Sequence, residues 1–66
     1  MNISQLNQSI TYLINKYLPS RDDLIILIHN DSDSVKYILS EIDRNRICKY
    51  SDDDLNLIRE IVYYYV

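Results

Sequence analysis

The sequence predicts an all-α fold: a small single-domain bundle of three to four short helices, with the C-terminal helix at its centre. Three observations predict it. Apolar residues recur with a helical period of about 3.6 through much of the chain. Ser, Asn and Asp stand where helices need N-terminal caps. The 66 residues include no glycine, so no position reaches φ > 0 freely and the primed turns of tight β-hairpins are disfavoured. Helices joined by short polar links satisfy all three.

The first helix is expected over residues 3–17. Asn2 and Gln5 have the spacing of a capping box, and Met1 and Leu6 that of a hydrophobic staple. Ile3, Leu6, Ile10, Leu13, Ile14, Tyr17 and Leu18 share one face, within about 140° of one another. Tyr12 points away from that stripe. Leu18-Pro19 ends the helix, because a residue before proline avoids the α region.

The second helix is expected over residues 21–29. Ser20-Arg-Asp-Asp23 repeats the capping pattern and leads into Leu24-Ile-Ile-Leu-Ile28. Periodicity does not assign five consecutive apolar residues to helix or strand. No other segment reads as β, so helix is the reading, buried on all sides and adjacent to the C-terminal helix. His29-Asn-Asp-Ser-Asp-Ser34 is a link whose side chains bond the nearby backbone.

The third helix is expected over residues 33–45, with Val35, Ile38, Leu39 and Ile42 on one face. Asn45 closes it as a left-handed cap in place of glycine. Ile47-Cys-Lys-Tyr50 connects to the last helix, where Tyr50 and Leu55 are spaced to staple the chain.

The fourth helix, residues 52–65, carries the strongest start pattern. Ser51 is the cap, Asp54 stands three residues on, and Asp52 and Asp53 add negative charge where the helix dipole favours it. Leu55, Leu57, Ile58, Ile61, Val62, Tyr64, Tyr65 and Val66 spread over about 200° of the helix surface. An ordinary surface helix needs an apolar stripe of about 100°. The excess width is what predicts a central position, or a second copy of the chain closing the gap.

Composition narrows the function classes. One cysteine, Cys48, excludes an internal disulfide, and a single histidine leaves no zinc ligand set. His29, Asp31 and Asp33 fail the EF-hand spacing, with no glycine at the sixth position and Ile42 at the twelfth. Asp52, Asp53 and Asp54 diverge by about 100° per residue and do not converge on a cation. Without glycine there is no phosphate-binding loop. No cofactor, metal site or enzymatic activity is therefore expected. The formal net charge of −3 disfavours nucleic acid and membranes as partners, both being anionic. No stretch approaches the roughly 20 apolar residues of a membrane span. The N-terminus lacks the pattern of a signal peptide, so a cytoplasmic protein is expected. Ile, Asn and Tyr, with AT-rich codons, make up 24 of the 66 residues, which points to an AT-rich genome such as that of a phage or another virus.

The seven tyrosines, with no other aromatic residue, are the most informative feature. Tyrosine is large and rigid with a polar tip, and suits surfaces that are alternately wet and covered. Tyr12, Tyr37, Tyr63, Tyr64 and Tyr65 are the expected partner-binding residues, with Asp52, Asp53 and Asp54 steering a basic partner. The expected function is that of a small acidic helical module that binds another protein, of the inhibitor, antitoxin, immunity or adaptor type. Two alternatives are a self-associating homodimer and, lower in rank, a helix-turn-helix DNA-binding regulator. The latter would use the basic cluster Arg44, Arg46 and Lys49, but its recognition helix would carry Glu41 and Asp43 towards phosphate.

Overall fold

The first helix, α1 (Ile3–Tyr17), starts where the capping pattern places it in the computed structural model, which describes residues 1–66. The Gln5 N–H donates to Asn2 Oδ1 at 2.8 Å and the Asn2 N–H donates to Gln5 Oε1 at 3.0 Å. Two of the unpaired N–H groups of this helix end are thus satisfied reciprocally. Met1 lies half-buried against the core. Leu6, Ile10, Leu13, Ile14 and Tyr17 are all fully buried.

Three further α-helices follow: α2 (Asp22–Asn30), α3 (Val35–Asn45) and α4 (Asp52–Tyr65), with one 3-10 turn at Ser32–Ser34 running directly into α3. There is no strand. The chain is a small all-α bundle, and the apolar run Leu24–Ile28 is helical.

The centre of the bundle is α1 and not α4. All three other helices pack on α1. Its five buried residues compare with two in α4, Asp54 and Ile61. Width of the apolar face was a misleading guide, because burial requires neighbours on both sides. Here α3 and α4 each lie on α1 but barely meet one another. Half of the wide α4 face is therefore left open. The Asp54 carboxylate joins Tyr17 at one end of the pair, and the Tyr65 hydroxyl donates to the Met1 carbonyl at the other, at 2.9 Å. The two helices are therefore antiparallel. The Ile47 N–H donates to the Tyr17 carbonyl at 3.0 Å, which brings the end of α3 to that same Tyr17 end.

Three local expectations are corrected. Residues 24–28 are not buried on all sides. Leu24 and Ile28 are buried on α1 and α3, and Ile26 is 61% exposed. Ser20 does not cap α2. The N-cap position is Arg21, which makes no capping bond with its side chain and pairs with Asp23 instead. Ser20 serves the preceding turn, at φ 74°, where the Arg21 N–H closes on the Leu18 carbonyl at 3.3 Å. Proline first and a positive φ second is the pattern of a type II turn, in which glycine is the usual second residue. Finally, Asn45 is not a left-handed cap, since Ser20 is the one residue with positive φ. Arg46 leaves α3 at φ −57°, ψ 142°, and Asn45 Nδ2 donates to the Glu41 carbonyl at 3.2 Å.

The Ser20 turn is directly testable. Ser20→Gly removes the Cβ that opposes positive φ, and is expected to leave stability unchanged or raise it by up to about 1 kcal/mol. Ser20→Val should lower stability by about 1–2 kcal/mol, since a β-branched residue is the poorest fit to that region. Urea titration followed by helical circular dichroism measures both.

Candidate functional site

Two regions of the molecule go beyond an ordinary helical core: a buried carboxylate cluster between α1 and α4, and the outer surfaces of α4 itself.

The cluster forms where Asp54, one turn into α4, faces the last turns of α1. Asp54 is 3% exposed. Its carboxylate accepts from the Tyr12 hydroxyl at 2.8 Å, from Lys16 Nζ at 2.7 Å and from the Tyr17 hydroxyl. Tyr12, Lys16 and Tyr17 reach one point because i, i+4 and i+5 span adjoining sides of a helix. The expected cap is present, with the Asp54 N–H donating to Ser51 Oγ at 3.2 Å. The return half of that capping box comes from α1: the Ser51 N–H donates to the Tyr17 hydroxyl at 3.2 Å. Tyr17 thus accepts from the start of α4 and donates to its first buried side chain. The Tyr17 ring also meets Tyr50 edge-on, with centroids 4.9 Å apart. The Arg46 guanidinium lies over the Tyr50 ring at 4.7 Å.

The electrostatics follow from this geometry. Burial by itself pushes the Asp54 carboxyl up. Hydrogen bonds from Lys16, Tyr17, Tyr12 and Ser51 together outweigh it and hold the group well below the usual carboxylate range. Lys16 is held above its ordinary value, first by its bond to Asp54 and then by the one to Tyr12. The Lys16 side chain is 41% exposed, so solvent screens the pair in part. Every part of this cluster is occupied by the chain itself. Three donors from α1 meet the carboxylate, and no group of three or more His, Cys, Asp or Glu side chains converges anywhere in the molecule.

This arrangement moves two sequence-derived candidates inwards. Asp54, expected among the steering charges, is buried and neutralised by Lys16, whereas Asp52 and Asp53 are exposed. Tyr12, though 45% exposed, has its hydroxyl committed to Asp54. Tyr65 is half-buried with its hydroxyl on the Met1 carbonyl. Tyr37 is exposed on α3, its hydroxyl on Glu41 at 3.2 Å. Sequence reasoning placed Tyr17 on the core face of α1 and gave Lys16 no role. It missed that both meet Asp54. The available signal was the unusual aspartate in the glutamate position of the capping box, one methylene too short to reach back to its own cap.

The outer surfaces of α4 divide by helical position. Asp54, Ile61 and Tyr65 face α1. Leu55, Ile58, Val62 and Val66 form one wall of a cleft of about 370 Å³, with Leu39 of α3 opposite and Lys36 and Asp43 at its rim. Tyr63 stands on the solvent side, 82% exposed, and Tyr64 beside it is 53% exposed. Their rings pack edge-to-face with centroids 5.1 Å apart. Ring packing between neighbours restricts both side chains before any partner arrives. No helix is long and apolar enough to cross a membrane. Comparison of the chain with protein-family models, curated proteins and solved structures found no match.

The cluster predicts a specific acid response. The folded Asp54 pKa is depressed, so its stabilisation is complete above the unfolded value near 4 and is lost as pH falls below it. Asp54→Asn should cost about 2–3 kcal/mol at neutral pH, since it removes a charged acceptor from three donors. The variant should also lose less stability than the parent between about pH 4 and about pH 2. Urea titrations of both proteins across that range provide the measurement.

Proposed function

We propose that the chain is a protein–protein interaction module that engages a partner protein through the Tyr63–Tyr64 end of α4. The observation that carries this reading is the pair itself: two adjacent, exposed aromatic rings, already packed edge-to-face, on a helix whose inner face is anchored to α1. Rigid aromatic side chains lose little conformational freedom on burial and dominate binding energy in interfaces. The rest of the module supports them. Tyr65 ties the end of α4 to Met1, and the Asp54 cluster ties its start to Tyr12, Lys16 and Tyr17. Asp52 and Asp53 supply exposed negative charge, which favours encounter with a basic partner. Blocking or adapting that partner, as inhibitors, antitoxins, immunity proteins and adaptors do, suits a chain of this size whose charged cluster is closed on itself.

Incorporation of a photo-crosslinking residue at position 63 in producing cells tests the reading, with position 26, also exposed, as a control on α2. The expected result is an adduct with a heterologous protein at position 63, absent at position 26 and diminished about tenfold or more by Tyr64→Ala. Equal labelling from both positions, or none from position 63, would sink the proposal. Tyr63→Ala itself should change folding stability by no more than about 0.5 kcal/mol, as a surface substitution does. A larger loss would place Tyr63 in the fold rather than in an interface.

A further inference from the structure

We infer that the Tyr63–Tyr64 end of α4 receives an arginine side chain of the partner protein, its guanidinium stacked on a tyrosine ring and paired with Glu60. The inference rests on the reading of that end as an interface, and names the group recognised there.

The chain combines tyrosine, carboxylate and cation at three other places, and each time the cation is its own. Lys16 Nζ lies 2.7 Å from Asp54 and 5.6 and 5.5 Å from the ring centroids of Tyr12 and Tyr17. The Arg46 guanidinium lies 4.7 Å from the Tyr50 ring centroid and 3.5 Å from Asp43. Arg21 lies 3.9 Å from Glu41, which accepts from the Tyr37 hydroxyl. The fourth combination is Glu60 with Tyr63 and Tyr64, and no cation of the chain pairs with Glu60. The helix itself supplies none, because the residues three and four away from Glu60 are Asn56, Leu57, Tyr63 and Tyr64.

The placement on α4 gathers these groups. Tyr63 and Tyr64 follow Glu60 by three and four residues, so they flank it one turn on, by roughly 60° on one side and 40° on the other. All three are exposed. Asp53, also exposed, precedes Glu60 by two turns and lies within about 20° of it on the helical wheel. It extends the negative charge along the same line. The one cation of α4 is Arg59, beyond Tyr63 on the side away from Tyr64, and it donates to Asn56 Oδ1 at 3.3 Å. Its like charge keeps an incoming cation on the Glu60 side of Tyr63.

The chemistry of the three groups selects arginine. A partner surface that covers both rings also takes water from Glu60, a cost offset only by a cation that hydrogen-bonds the carboxylate. A guanidinium meets both demands together. Its flat face stacks on a tyrosine ring while its N–H fork meets the carboxylate. A lysine ammonium is more strongly hydrated and has no flat face to stack.

The crosslinking residue at position 63 again provides the readout, and mass spectrometry of the adduct locates the partner segment. An arginine within a few residues of the crosslink is expected. Glu60→Gln should lower the adduct about tenfold or more with helical circular dichroism unchanged. Tyr64→Phe, which keeps the ring and loses the hydroxyl, should leave it within about twofold. Replacing the partner's arginine by lysine should lower it about tenfold. Full yield from Glu60→Gln, a crosslinked segment without arginine, a Tyr64→Phe loss as deep as that of Tyr64→Ala, or full yield from the lysine variant would each overturn the inference while leaving the tyrosine interface standing. No adduct from position 63 of the parent chain would remove the interface reading itself, and the inference with it.

Discussion

The contact on which the rest of this structure depends is the one between the end of α1 and the start of α4, made by Asp54, Tyr12, Lys16 and Tyr17. A chain of this length has little apolar surface to bury and needs some further fastening. With one cysteine and no converging metal ligands, the fastening is a charge-assisted hydrogen-bond cluster. Removing a carboxylate from water is costly unless several donors meet it. Three side-chain donors meet Asp54, two of them phenolic hydroxyls, and one of these, Tyr17, brings its ring fully into the core. The cluster therefore fixes the angle of α4 and extends the buried surface at the same time. It also aligns the α3–α4 connector, because Tyr17 holds Ser51 through its hydroxyl, Ile47 through its carbonyl and Tyr50 through its ring.

Once α4 is anchored along one side, its other sides are free for different work. The inner side belongs to the fold. The Leu55–Val66 side meets an incomplete cleft, because α3 and α4 diverge on the common support of α1. The third side carries Tyr63 and its neighbour Tyr64. Three separate apolar or aromatic surfaces on one helix account for an apolar content above what a surface helix requires. They also explain why the helix with the broadest apolar face buries fewer residues than α1.

Several elements were legible in the sequence for plain physical reasons. Periodicity defined α1, α3 and α4, and caps at Asn2 and Ser51 placed two helix starts where they occur. Both are local effects, settled by side chains within one turn. The Leu24–Ile28 run was legible only by exclusion, since a single strand has nothing to pair with. Ser20 was misread because its identity suits a cap, whereas Pro19 before it imposes a turn that takes the same residue into positive φ. Two local preferences competed at one position, and the turn won because it also brings α2 back onto α1.

By itself, then, the sequence determined the helical class, the helix limits to within a residue or two, and the apolar stripes of α1 and α3. Those follow from interactions between residues three or four apart. Tertiary structure alone decided which helix is central, which tyrosines face inwards and which aspartate is buried. Asp52, Asp53 and Asp54 are indistinguishable as sequence, and Tyr12 and Tyr63 both lie off their helices' stripes. What separates them is the neighbour each one meets across some forty residues of chain or fails to meet at all. Such a neighbour is set by the packing of α1 against α4, which no local pattern records.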